Sequence, residues 1–271
     1  MKLIKSTKLF ALSSAAAVLS LGVTAFAGEV VADGKATKEV KVEEKKESPW
    51  SFNFTAAYDS SYMFRGVNLL DSATDGGNLL SADVNVSAYG FTLGAWYANS
   101  INEGDSDEEY NELDLYLSYT HSLGPVDLTG GYIFYLYPKT NFSVPESNYY
   151  TQEFFVGIST SVIPFVTPSL NFYYDFDKFD GGYLEFKLSS SIPVIGEIVS
   201  IDPYALISYD FEYNSASSDW NNFQAGINVP IHVTPNITIS GYAAVSVPLE
   251  ALDFLDDDYE VWGGAKVGFS F

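Results

Sequence analysis

From Trp50 to the end of the chain, apolar and polar residues alternate with a period of two, the pattern of a strand with one apolar and one polar face. Trp50, Phe52, Phe54, Ala56 and Tyr58 oppose Ser51, Asn53, Thr55 and Ala57. The same alternation runs through Leu80–Ala88, Leu113–Tyr119, Phe154–Ile158, Leu170–Phe176, Leu184–Leu188, Phe223–Ile231 and Val261–Phe271. Less regular stretches at Phe91–Ala98, Val126–Tyr137, Val199–Phe211 and Asn236–Val247 bring the predicted strands to twelve.

The connections alternate too. Short turns fall at Tyr89-Gly90, Leu123–Pro125, Ile163–Phe165, Pro193–Ile198 and His232–Pro235, and longer polar ones at Asp59–Gly77, Asn99–Glu109, Pro138–Tyr149, Asp177–Gly181, Glu212–Asp219 and Pro248–Asp258. An even strand number, with short turns at one end and long loops at the other, predicts an all-β fold: a transmembrane antiparallel up-and-down β-barrel of about 12 strands. Closure is required because lipid offers nothing to the free edge of a sheet.

Before Trp50 the pattern changes. Lys2, Lys5 and Lys8 precede an apolar run from Leu9 to Val23, and Ala25-Phe26-Ala27 has the small residues a signal peptidase accepts. The expected organisation is a signal peptide over 1–27 cleaved near Ala27, a charged periplasmic linker over 28–49, and the barrel over 50–271. The destination is then the outer membrane of a Gram-negative cell. The last strand ends with Val267, Phe269 and Phe271 on one face. That resembles the C-terminal signature read by the barrel-assembly machinery, which is one expected partner beside outer-membrane lipid and lipopolysaccharide.

Composition narrows the function. The chain has 20 Tyr and 20 Phe, no cysteine, and a net charge of −22. After Trp50 the basic residues are Arg65, Lys139, Lys178, Lys187 and Lys266 alone. A body this acidic excludes nucleic acid, which needs a positive surface. His121 and His232 both fall at short turns, away from the outer rim, so no histidine-based catalytic group can form there, and nothing calls for an enzyme or a cofactor. Trp50, Tyr58, Tyr97, Tyr119, Tyr149 and Tyr150 lie near strand ends, where interfacial girdles form. The acidic stretches Asp105–Glu109 and Asp253–Asp258 read as solvated outer loops.

Asp59-Ser60-Ser61 followed by Tyr62–Val67, the stretch Gly90–Asn99, and Glu112–Tyr116 with Tyr119 resemble segments of the TorF family of outer-membrane porins. Asp59 stands three residues before Tyr62 instead of next to it, and Ser118 replaces a usual Gly. The resemblance covers Asp59 to Tyr119 and implies a pore-forming barrel with no defined substrate.

Strand parity assigns the interior. Arg65, Asp83, Glu112, Asp114, Glu153, Asp175, Glu185, Lys187, Asp202, Asp210, Glu260 and Lys266 are the expected pore-lining residues. Their net negative charge favours cations over anions. The expected function is therefore passive diffusion of small polar solutes or cations. The alternative is a non-conducting barrel with a structural or surface-interaction role through its acidic loops. Arg65, the sole arginine, is expected to meet Glu260 across the seam between first and last strands. Lys35 to Lys46 could fold back into the periplasmic mouth.

Overall fold

The computed structural model describes residues 48–74, 76–102, 109–138, 150–255 and 258–271. The elements are β1 (Ser51–Asp59), β2 (Met63–Phe64), β3 (Val67–Asn68), α1 (Leu69–Thr74), β4 (Asn78–Ala88), β5 (Phe91–Ile101), β6 (Asn111–Leu123) and β7 (Val126–Leu136). They continue with β8 (Tyr150–Thr160), β9 (Thr167–Asp175), β10 (Gly181–Ser189), β11 (Ile192–Ile195), β12 (Val199–Phe211), β13 (Asp219–Thr234), β14 (Ile237–Pro248) and β15 (Glu260–Ser270).

Twelve of these strands form one closed antiparallel barrel. Each pairs with its sequence neighbour in the order β10-β9-β8-β7-β6-β5-β4-β1-β15-β14-β13-β12, and β10 pairs with β12. The terminal strands seal the ring from Asn53 opposite Ser270 to Asp59 opposite Gly264. All twelve expected strands are present, several with one to four more residues at an end. The shortest, such as β1, have 9 residues and the longest, β13, has 16, so each meets the roughly 9–11 residues a tilted strand needs to cross a bilayer. The small β11 prolongs the β10 side of its hairpin beyond the barrel, pairing with β12 from Ile192 opposite Ile201.

The two faces divide as the alternation requires. Phe54, Leu93, Leu117, Phe154, Val156 and Ile227 point outward and are exposed. In water such a belt would be a large unpaid apolar surface; against lipid it needs no further covering. The girdle candidates Trp50, Tyr58, Tyr97 and Tyr119 are exposed as well.

The long connection after β1 departs from expectation. It is not a polar outer loop. Tyr62, Phe64, Val67, Leu69 and Leu70 are all buried, with 0% of Leu70 exposed, and they pack with Leu79, Trp96, Ala98, Tyr110, Tyr116, Ile133, Tyr135, Tyr137, Tyr213 and Leu252 into one cluster. Most of those partners are inward-facing barrel residues. The hydrophobic core of this protein therefore lies inside the barrel, and the Tyr62–Leu70 segment supplies its centre. The physical reason is visible in the segment itself: five large apolar side chains cannot remain in water at a loop tip when an aromatic-lined lumen adjoins them.

The expected signal peptide (1–27), the expected linker up to residue 47, Lys139 and most of the acidic stretch Asp105–Glu109 lie outside the described residues, as do Tyr149, Asp256 and Asp257.

Candidate functional site

The site is the lumen and the hairpin inside it. β2 and β3 pair Met63 with Asn68 and Phe64 with Val67, leaving Arg65 and Gly66 as a two-residue turn. Both have positive φ, 46° and 83°, the requirement of a type I′ turn. An arginine there is unusual, and such a backbone costs about 1–3 kcal/mol unless its surroundings hold it. They do. The Arg65 carbonyl accepts hydrogen bonds from Asn221 Nδ2 at 2.7 Å and Asn214 Nδ2 at 3.4 Å. The chain leaves the hairpin through Asn68, whose Oδ1 accepts from the Leu70 amide and starts α1.

The Arg65 side chain crosses the lumen. Its Nη2 donates to Glu153 Oε2 at 2.7 Å, with 3% and 0% of the two side chains exposed. Glu153 is on β8, on the far side of the ring from β1. The rings of Phe64, Tyr173, Tyr183 and Tyr213 lie 4.2–5.0 Å from the guanidinium carbon, a box that favours a cation. Burial opposes the Arg65 charge, but Glu153 and the surrounding phenols outweigh it and push its pKa up. The expected seam pair with Glu260 is thus corrected: Arg65 belongs to the inserted hairpin, not to the end of β1, and its partner is in the opposite wall.

The other predicted lining residues fall into three groups. Around the hairpin, Glu112 accepts from Tyr62 Oη at 2.9 Å and Tyr110 Oη at 2.6 Å, Glu153 also accepts from Tyr135 Oη at 3.2 Å, and Asp114 is buried nearby. At the outer rim, Asp175 accepts from the amides of Asp177, Lys178 and Phe179 at 2.9–3.0 Å, and Asp210 from those of Tyr213 and Asn214 at 3.1 and 2.8 Å. These two fasten loops whose Phe179 and Tyr213 rings pack against each other, 4.7 Å between centroids, with Tyr213 beside Phe64 of the hairpin. Toward the end of the barrel that carries the termini, Asp83, Glu185, Lys187, Asp202 and Lys266 stay accessible to some degree. Asp83 accepts from Tyr116 Oη at 2.7 Å and Asp202 from Ser191 and Ser200 at 2.7 and 2.8 Å. Glu260 is half-buried near the outer end of β15.

An acid that satisfies three amides is a fastener. Asp175→Ala should leave those amides unpaired at about 1–3 kcal/mol for the site, and should make the bond after Lys178 cleavable by trypsin while the barrel remains intact on a gel. Unchanged resistance to trypsin would show that the loop is held by other contacts.

His121 is exposed and stacked beside Tyr119, and His232 contacts Thr238 Oγ1 at 2.9 Å. Among the described residues no three His, Cys, Asp or Glu side chains converge as a metal centre would need. Sequence reasoning missed the hairpin and its seat in Asn214, Asn221 and Asn222. The signal for the hairpin was present as an apolar cluster in a supposed loop. The asparagine seat carried none, because asparagine at a strand end reads as turn chemistry.

This architecture defines an outer-membrane-type β-barrel with its own chain folded into the lumen. Residues 43–251 match the family described as "Bacterial protein of unknown function (Gcw_chp)", and the chain belongs to that family. Among solved structures it is similar to a KdgM porin at 10% identity and TM-score 0.50, covering 81% of this chain and 98% of that one. A NanC porin matches at 11% identity and TM-score 0.49, with the same coverages of 81% and 98%. The translocator domain of the autotransporter NalP from Neisseria meningitidis matches at 10% and 0.47, covering 84% of this chain and 90% of that one. No curated protein matches the chain.

Proposed function

We propose that this protein is an outer-membrane channel for small polar solutes, and that it conducts only when the Tyr62–Leu70 segment leaves the lumen. The observation that carries this reading is the Arg65–Glu153 pair. It ties the first loop to the opposite wall and brings the buried aromatic cluster with it, so the outer half of the lumen is filled while the hairpin is seated. The porin-like fold and the resemblance of Asp59–Tyr119 to TorF-family porins support a channel over a mere anchor. Export past Ala27, assembly through the strand ending in Phe271, and contact with lipopolysaccharide belong to the same reading.

Cation preference follows in the open state. Withdrawal of the hairpin removes Arg65 and leaves Glu112, Asp114 and Glu153 facing the path, with Asp83 and Glu185 beyond them. A wall of one sign concentrates the opposite ion. The filled outer half also favours a second reading, a barrel that never conducts and acts through its outer loops. Planar-bilayer recording separates the two. Replacing residues 62–70 with a Gly/Ser linker of equal length should convert a mostly silent barrel to a conducting one, with a reversal potential in a KCl gradient that favours potassium. A folded but silent variant would establish the non-conducting reading, and a reversal favouring chloride would overturn the selectivity.

A further inference from the structure

Below the hairpin, on the side of the termini, the interior changes character. The lumen there is wet: Lys266 on β15 is exposed, and Asn53, Thr55 and Asn85 on the adjoining strands are half-buried. Two tyrosines lie flat on the wall. Tyr204 on β12 covers Gly226, where an added Cβ would come within 2.6 Å of its ring, and Tyr242 on β14 covers Gly264 in the same way, also at 2.6 Å. Both rings are pinned by their hydroxyls. Tyr204 Oη accepts from Gln224 Nε2 at 2.7 Å, and Tyr242 Oη donates to Asp59.

Over each ring stands a lysine. Lys187 Nζ is 5.0 Å from the centroid of Tyr204, and Lys266 Nζ is 5.0 Å from that of Tyr242. Lys187 comes from β10 and Lys266 from β15, the strands that flank the β12–β14 panel, so each reaches onto the panel from its own side. The two tyrosine platforms lie one strand apart, with β13 between β12 and β14. Neither lysine has a carboxylate oxygen within ion-pair distance, since the pair within 4.0 Å among the described residues is Arg65–Glu153. Two ammonium groups that face one stretch of lumen, neither in a contact ion pair, favour an anionic group between them.

We infer that Lys187 and Lys266, on their Tyr204–Tyr242 platform, form a subsite for an oxyanion, the carboxylate or phosphate group of a small solute. An ammonium held on a ring face keeps its remaining N–H donors free for the lumen, and charge-assisted bonds from two of them suit either group. The subsite deepens the channel reading by naming the chemistry of what pauses in the lumen. It is compatible with cation preference, because Asp83, Glu185 and Asp202 outnumber the two lysines in the accessible half; the bulk field selects cations while the lysine pair takes a local anionic group. Access from the periplasmic side does not need the hairpin to move.

The test is therefore binding, not conductance. Calorimetric titration of the intact protein in neutral detergent, with inorganic phosphate and separately with acetate, should give saturable binding at constant chloride. Lys187→Met with Lys266→Met should weaken it by about tenfold or more, whereas Lys178→Met at the outer rim should not change it. A response to both ligands indicates carboxylate and phosphate alike, and a response to phosphate alone narrows the class. Equal binding by the double variant, shown folded by retained heat-modifiable migration, or no binding by the native protein, overturns the subsite. Failure of the channel reading would show separately, as a silent hairpin-replaced barrel that still binds phosphate.

Discussion

Replacement of Arg65 by alanine is expected to open the barrel. In the seated state Arg65 neutralises Glu153 in a place where 0% of the Glu153 side chain is exposed. Removing one partner of a buried ion pair leaves the other charged and dry, at a cost of about 3–5 kcal/mol. Glu153 is hydrated again when the hairpin withdraws, so the cost falls on the closed state alone. At about 1.4 kcal/mol per tenfold, the open-to-closed ratio should rise by roughly a hundredfold to a few thousandfold. The four rings around the guanidinium also lose their cation, which adds to the shift. The barrel should survive, because Arg65 takes no part in the strand ladders. Single-channel recording is the measurement: Arg65→Ala and Glu153→Gln should both raise open probability strongly, and a combined Arg65→Met, Glu153→Leu change should restore much of the closure, since an apolar pair can replace a buried ionic one at little cost. Open probabilities indistinguishable from the native protein in both single variants would mean that the pair does not hold the hairpin.

The barrel was legible in the sequence because its physics is local and repetitive. Each strand must show lipid one face and the lumen the other, so period two recurs in eight stretches and more loosely in four others, and the short turns alternate with long connections. Strand parity also put Asp83, Glu112, Lys187 and Lys266 in the expected inward set. What each inward residue does was not legible. Asp114 and Asp202 look alike in an alternating strand, but one is buried beside the hairpin while the other accepts from two serines in the wetter half. Asp175 and Asp210 were expected to line a pore and instead fasten rim loops, which depends on where the next three or four residues turn. Arg65 was assigned to the seam from its position after β1. Its partner is 88 residues away in sequence, a contact that exists only because the connection folds inward, and strand parity says nothing about connections. The cue lay in composition: Tyr62, Phe64, Val67, Leu69 and Leu70 in a stretch that was otherwise polar. One of the three stretches that carry the resemblance to TorF-family porins, Tyr62–Val67, is this same hairpin.

A second route to the open state runs through Gly66 and leaves every charge in place. Gly66 has φ of 83°, and a Cβ there would lie 2.7 Å from Leu252 Cδ1 and 2.9 Å from Asn222 Cβ and Cγ. Neither neighbour can yield freely. Leu252 is fully buried in the rim turn Glu250–Leu252, and Asn222 is tied to Ser208 at 2.5 Å and to Ser246 at 2.8 Å. Gly66→Val should therefore expel the hairpin tip by both backbone strain and contact. The strain alone, about 1–3 kcal/mol, amounts to roughly fivefold to 150-fold in the open-to-closed ratio; the clash with Leu252 and Asn222 adds to it. The two causes can be divided. Gly66→Ala combined with Leu252→Ala removes the 2.7 Å contact and keeps the unfavourable φ, so it should conduct less than Gly66→Ala alone but more than the native barrel. Full recovery of the closed state would assign the effect to packing, and no recovery would assign it to the backbone and the Asn222 network. If Gly66→Val stays as silent as the native protein while its barrel is intact, the hairpin is not what closes the lumen, and the Arg65–Glu153 pair is a stabilising contact without a gating role.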